Sequence, residues 1–73
     1  MTLDDIEIGK LVIINRIDTS IHIDLERMGI LEGEQIYFEK SAPFKDPKIF
    51  SIQGNLIALR RSEAKLIEVS ELE

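Results

Sequence analysis

The spacing of apolar positions along this 73-residue chain changes several times, and each change marks an element. Leu11-Val12-Ile13-Ile14-Asn15-Arg16-Ile17 is β-branched and apolar on both faces at its start, which predicts a strand covered on both sides there. Upstream, Thr2 and Asp5 have the spacing that caps a single turn, and Gly9 resets the chain. The period then lengthens. Ile21, Leu25 and Met28 fall at i, i+4 and i+7, which is one helical stripe. Asp18-Thr19-Ser20 offers an N-cap before the stripe, and Gly29 a left-handed stop after it. At about two turns, such a helix does not persist alone, so packing of the stripe must hold it.

Glu32-Gly33 reads as a turn, and Gln35 to Lys40 as a second strand in which Ile36 and Phe38 share a face. Ser41 to Pro47 is a loop bounded by Pro43 and Pro47, residues that lack a backbone donor and so border strands. Lys48 to Gln53 and Leu56 to Arg60 form a hairpin about a Gly54-Asn55 turn. That turn sets the expected register: Gln53 opposite Leu56, Ile52 opposite Ile57, Ser51 opposite Ala58 and Phe50 opposite Leu59. Ile49 and Leu56 are then left apolar on the otherwise polar face. Ser62 to Lys65 reads as a helical turn and Leu66 to Val69 as a last strand. Five short strands joined locally suggest a small closed barrel, since closure removes free strand edges; the periodicity alone gives only a small β-rich barrel or sandwich. The expected core is Ile13, Leu25, Met28, Ile36, Phe38, Phe50, Ile52, Ile57, Leu59 and Ile67.

Length and charge narrow the function. A chain of this length is one domain, residues 1–73, and buries only about 60% of its unfolded surface. It has no cysteine, so neither disulfides nor thiolate metal sites can help it. The net charge of −5 argues against a nucleic-acid surface and against docking on an anionic membrane. No apolar run reaches the roughly 20 residues of a membrane span, and Met1 to Asp5 lacks signal-peptide character. A cytoplasmic protein is expected, with any membrane link made through another protein.

Catalytic chemistry finds no foothold. His22 is the sole histidine, and no nucleophile–base pair or phosphate-binding glycine loop can be placed. His22 lies near Asp24 and Glu26, and positions 22 and 26 share a helix face. Two such ligands are too few for a retained metal, so no metal or cofactor is expected. What remains are groups suited to contact. Leu25 and Met28 belong to the core or to a partner groove. Phe44 either staples its loop or awaits a partner. Ile49 and Leu56 are apolar area left over, which marks a binding surface or self-association.

The ordered set of these signals resembles the FeoA family of bacterial ferrous iron uptake. The residues that carry the resemblance are Gly9, Leu11 to Ile17, Leu25-Glu26-Arg27-Met28-Gly29, Gly33 to Ile36, Ala42-Pro43-Phe44-Lys45-Asp46-Pro47, Gly54, Ala58-Leu59-Arg60 and the tail Ser62 to Val69. The resemblance implies a mainly β, SH3-like five-stranded barrel with one short α-helix and a helical turn before the last strand. It also implies a cytosolic adaptor that binds the cytosolic GTPase region of the FeoB iron permease. Leu25, Met28, Gly29, Phe44, Ile49 and Leu56 are its candidate contact residues. A runner-up reading is an SH3-like accessory domain of a DtxR-type metal-dependent regulator, and another is a self-associating module. The chain departs from the family pattern at Asp24, Arg27, Lys45 and Lys48. At Lys48 an aliphatic residue is usual.

Overall fold

The period-2 segments form five strands: β1 (Leu11–Ile17), β2 (Gln35–Ser41), β3 (Lys48–Ile52), β4 (Asn55–Leu59) and β5 (Ile67–Glu71). Helix α1 (Thr19–Arg27) links β1 to β2, and the short helix α2 (Arg61–Ala64) precedes β5. Single 3-10 turns occupy Leu3–Asp5 and Pro43–Lys45. These come from a computed structural model that describes residues 1–72; Glu73 lies outside the described residues. The strands form one antiparallel sheet in the order β4-β3-β2-β1-β5. The expected closure by strand pairing is not made among the described residues: β4 and β5 do not pair, and the sheet encloses its core by rolling instead.

Bulges roll the sheet. In β1, Ile14 pairs with Val69 but Arg16 pairs with Glu68, so one extra residue is inserted at Asn15. The insertion reverses the alternation, and Ile14 and Ile17 therefore both face inward despite their odd spacing. In β2 the extra residue is Glu39, which brings Lys40 opposite Ile49. The molecule measures 28 × 27 × 23 Å, far thicker in its least dimension than a flat sheet, which needs about 10 Å per layer. The edge of β5 is covered by the N-terminal segment. Val69 N–H donates to Met1 O at 2.9 Å, and Thr2 bridges Glu68.

Inside lies one cluster that includes Leu3, Val12, Ile14, Leu25, Ile30, Ile36, Phe38, Phe50, Leu59 and Ile67. Phe38 and Phe50 stack obliquely with ring centroids 5.1 Å apart. Helix α1 starts where Asp18 accepts from Ser20 N–H at 2.9 Å. It ends in a Schellman motif: Gly29, at φ 84°, donates to Glu26 O, and Ile30 donates to Leu25 O. The motif turns Ile30 back onto Leu25, and both side chains are buried.

Three expectations need correction. Ile13 is only half-buried and points to the outer face, because Val12 and Ile14 take the inward phase of β1. Four consecutive aliphatic residues left that phase undetermined. Met28 is 49% exposed, because it is the residue at which α1 ends, beyond the last inward turn. The hairpin turn is Gln53-Gly54, with φ 51° and 82°, rather than Gly54-Asn55. Phe50 consequently faces Ile57, and Ser51 faces Leu56. Each partner moves by two residues, which preserves the face of every side chain. The expected inward set of this hairpin therefore survives, with Ile57 packed half-buried at its margin.

Phe50 is the largest fully buried side chain of the cluster. Phe50→Ala should cost about 3–5 kcal/mol, most of the stability a domain this small can have. Urea unfolding followed by circular dichroism checks this. A loss below about 1 kcal/mol would show that the site collapses around the deletion.

Candidate functional site

Strand alternation places a second set of apolar residues on the outside of the roll. Leu11 pairs with Tyr37, Tyr37 with Ser51, and Ser51 with Leu56. The four form one rung across β1, β2, β3 and β4. The next rung on β3 and β4 is Ile49 opposite Ala58. Leu56 is 65% exposed, and Ile49 and Tyr37 are half-buried. The two leftover apolar residues of the hairpin thus belong to a wider outer-face stripe. Leu11 and Tyr37 escaped sequence reasoning, because the β1–β2 register is not encoded by a short turn.

Beyond Ile49 and Lys48 lies the loop that carries Phe44. Its ring is 98% exposed, so it does not staple the loop down. Phe44 and Lys45 both have left-handed backbone, at φ 68° and 67°. For residues with side chains that conformation costs of order 1 kcal/mol each, and it concentrates at functional sites. The loop closes on itself through Ala42 N–H to Pro47 O at 3.0 Å and Lys45 N–H to Ala42 O at 2.9 Å.

A polar node fixes the base of this loop. Lys48 follows the inward phase of β3 and is buried to 7% exposure. Its Nζ lies 2.9 Å from Asp4 Oδ1, 2.9 Å from Asp4 O and 5.2 Å from the Phe38 ring centroid. Arg61 donates to both Asp4 oxygens, from Nε at 3.1 Å and Nη2 at 3.2 Å. Arg61 N–H donates to Asp46 Oδ1 at 3.1 Å. Asp46 and Lys48 flank Pro47, so the node holds the end of the loop against the N-terminal turn and α2. This is the physical role of the lysine at an inward-facing strand position.

The other candidates separate from this surface. Leu25 is 2% exposed, so its side chain belongs to the core and not to a contact. Gly29 serves the Schellman turn. Met28 is exposed with Ile23 and Leu31 about α1, ahead of β2, whereas Phe44 follows β2. The seven residues of β2 lie between the two groups along the chain. His22 lies 4.0 Å from both Glu26 and Glu32, so Glu32, and not Asp24, is its second acidic neighbour. Glu32 also accepts from Ile17 N–H at 3.0 Å, tying the loop after α1 to the end of β1. Among the described residues, no three His, Asp or Glu side chains are placed to hold a metal ion. A cleft beside the N-terminal segment is bordered by Met1, Glu7, Lys10 and Glu71, and its lining has no histidine or serine. Among the described residues, no helix is long and apolar enough to cross a membrane.

The model of the FeoA domain matches residues 1–71. The chain belongs to the FeoA family. The FeoA-like protein of Clostridium acetobutylicum is 35% identical and superposes with a TM-score of 0.90 over 100% of this chain and 87% of that one. FeoA of Stenotrophomonas maltophilia in complex with zinc is 25% identical, with a TM-score of 0.80 over 96% and 89%. That protein is described as a prokaryotic SH3 domain protein and as a candidate activating factor of ferrous iron transport. The manganese regulator SloR shares the fold alone, at 12% identity and a TM-score of 0.85 over 99% of this chain and 34% of that one. No curated protein matches significantly. The chain is thus an SH3-like domain of a family linked to ferrous iron transport, a family of small accessory domains and not a known enzyme family.

The Asp4 node predicts acid sensitivity. Burial alone would raise the Asp4 pKa, but hydrogen bonds and charge from Arg61 and Lys48 outweigh it and hold the carboxyl below its ordinary value. The folded pKa is therefore lower than the unfolded one. The stability this supplies is present above about pH 4 and is lost as pH falls through the folded value. Asp4→Asn should cost about 3 kcal/mol at neutral pH, the low end for breaking a buried pair, since Asp4 O still accepts from Lys48. Adding Lys48→Met to Asp4→Asn should restore most of it. Urea midpoints measured from pH 7 to pH 2 check both the cost and the slope; an additive double variant contradicts the pairing.

Proposed function

We propose that this protein is an adaptor of ferrous iron uptake that binds the cytosolic GTPase region of a FeoB-type permease. Its contact surface is the outer face of the β3–β4 hairpin together with the Phe44 loop. The observation that carries this reading is Phe44: an aromatic ring in water, on left-handed backbone, in a loop anchored by Asp46, Lys48, Asp4 and Arg61. Exposed aromatics on a pre-ordered loop lose little entropy on binding, which favours them as contact anchors. Leu56 and Ile49 add apolar area on the outer face of the hairpin into which the loop leads. The protein works in the cytoplasm under this reading and holds neither iron nor nucleotide itself.

Phe44→Ser and Leu56→Lys should leave the fold intact, because both side chains stand in water. Each should weaken capture of the permease's purified cytosolic region by about tenfold or more, the loss of about 1.4 kcal/mol. Changes at Glu26 and Arg27 should matter less, since exposed charges contribute about 0–1 kcal/mol. Calorimetry and pull-down on folded variants measure this. If Phe44→Ser and Leu56→Lys bind like the parent, the surface is misassigned. Micromolar binding of ferrous iron or GTP by the isolated protein would contradict the adaptor role.

A further inference from the structure

The two ends of the sheet are treated differently. The β5 edge is covered by Met1 and Thr2, but β4 has a neighbour on one side only. Turn Gln53-Gly54 has both residues at positive φ and closes the hairpin on the Ile52–Asn55 pair. In a two-residue hairpin that closing pair is hydrogen-bonded, and bonding then recurs at every second pair. Asn55, Ile57 and Leu59 therefore bond to β3. Leu56 and Ala58 direct their N–H and C=O groups away from it, and among the described residues neither takes part in any other backbone hydrogen bond. Residues 53 to 59 carry no charge, no proline and no bulge, which are the usual devices that keep sheet edges apart.

We propose that this edge pairs antiparallel with β4 of a second copy of the chain, about a two-fold axis at Ile57. Leu56 then faces Ala58 of the second copy and Ala58 faces its Leu56, and each pair exchanges two hydrogen bonds. Asn55 faces Leu59, and Arg60 faces Gly54, so no like charges oppose each other. Half-buried Ile57 meets its own counterpart, and the outer stripe from Leu11 to Leu56 runs on into Ala58 and Ile49 of the second copy. The two-fold closes after one addition. A single short strand pair buries less than the roughly 1,200 Å² of a stable complex, so the dimer is reversible. Two copies of net charge −5 repel at long range, so added salt strengthens it.

Amide hydrogen exchange combined with sedimentation, on the purified protein from micromolar to millimolar concentration, tests this. At low concentration the Leu56 and Ala58 amides should exchange freely while Ile57 and Leu59 are protected. At high concentration the mass should double, and the Leu56 and Ala58 amides should slow by about tenfold or more. Ala58→Pro removes an edge donor that β3 does not use and should remain folded and monomeric. A monomer at every concentration overturns the proposal. So does a dimer whose Leu56 and Ala58 amides stay open, or assembly beyond two copies. Capture of the permease region by Ala58→Pro reads the adaptor contact separately, since Phe44 and the Leu56 side chain are untouched.

Discussion

Everything in this molecule depends on one sheet having to enclose its own core. A chain this short has no second layer to spare, and no disulfide to help it. Five strands, both helices and the N-terminal turn therefore share a single cluster in which Phe50 is the largest fully buried side chain. The bulges at Asn15 and Glu39 are the means. Each adds a residue on one strand, bends the ladder and changes which side chains face inward. The rolled sheet hides its inner face and puts Leu11, Tyr37, Ile49 and Leu56 on the outer one.

The same economy explains the polar node. The inward phase of β3 places Lys48 where an aliphatic side chain would fit. An unpaired ammonium there would be costly, so Asp4 and the Phe38 face receive it, and Arg61 completes the carboxylate's partners. The consequence reaches the surface. By tying Lys48 and Asp46 to the N-terminal turn and α2, the node holds the Phe44 loop in one shape. A charge inside the core thus positions an aromatic ring outside it.

Much of this was legible in the residues. The strand Leu11–Ile17 and the cap and stop of α1 follow from patterns whose physics is local. So does the inward set of the hairpin, because a register error of two residues leaves faces unchanged. Other features depend on partners distant in sequence. Nothing in four successive aliphatic residues selects Val12 and Ile14 over Ile13. Nothing local marks Ile30 as core; the Schellman turn is what returns it to Leu25. The candidate contact residues shared no local signal, and the structure divides them: Leu25 goes to the core, Met28 to the α1 end, and Ile49 and Leu56 to the outer face below Phe44.

The central claim is that the working surface is the Phe44 loop with the outer hairpin face, and not the α1 end. The most direct measurement is to titrate the isotopically labelled protein with the permease's cytosolic region and follow every backbone amide by nuclear magnetic resonance. The account predicts that shifts cluster at Phe44, Lys45, Ile49 and Leu56. Shifts confined to Ile23, Met28 and Leu31 would contradict it.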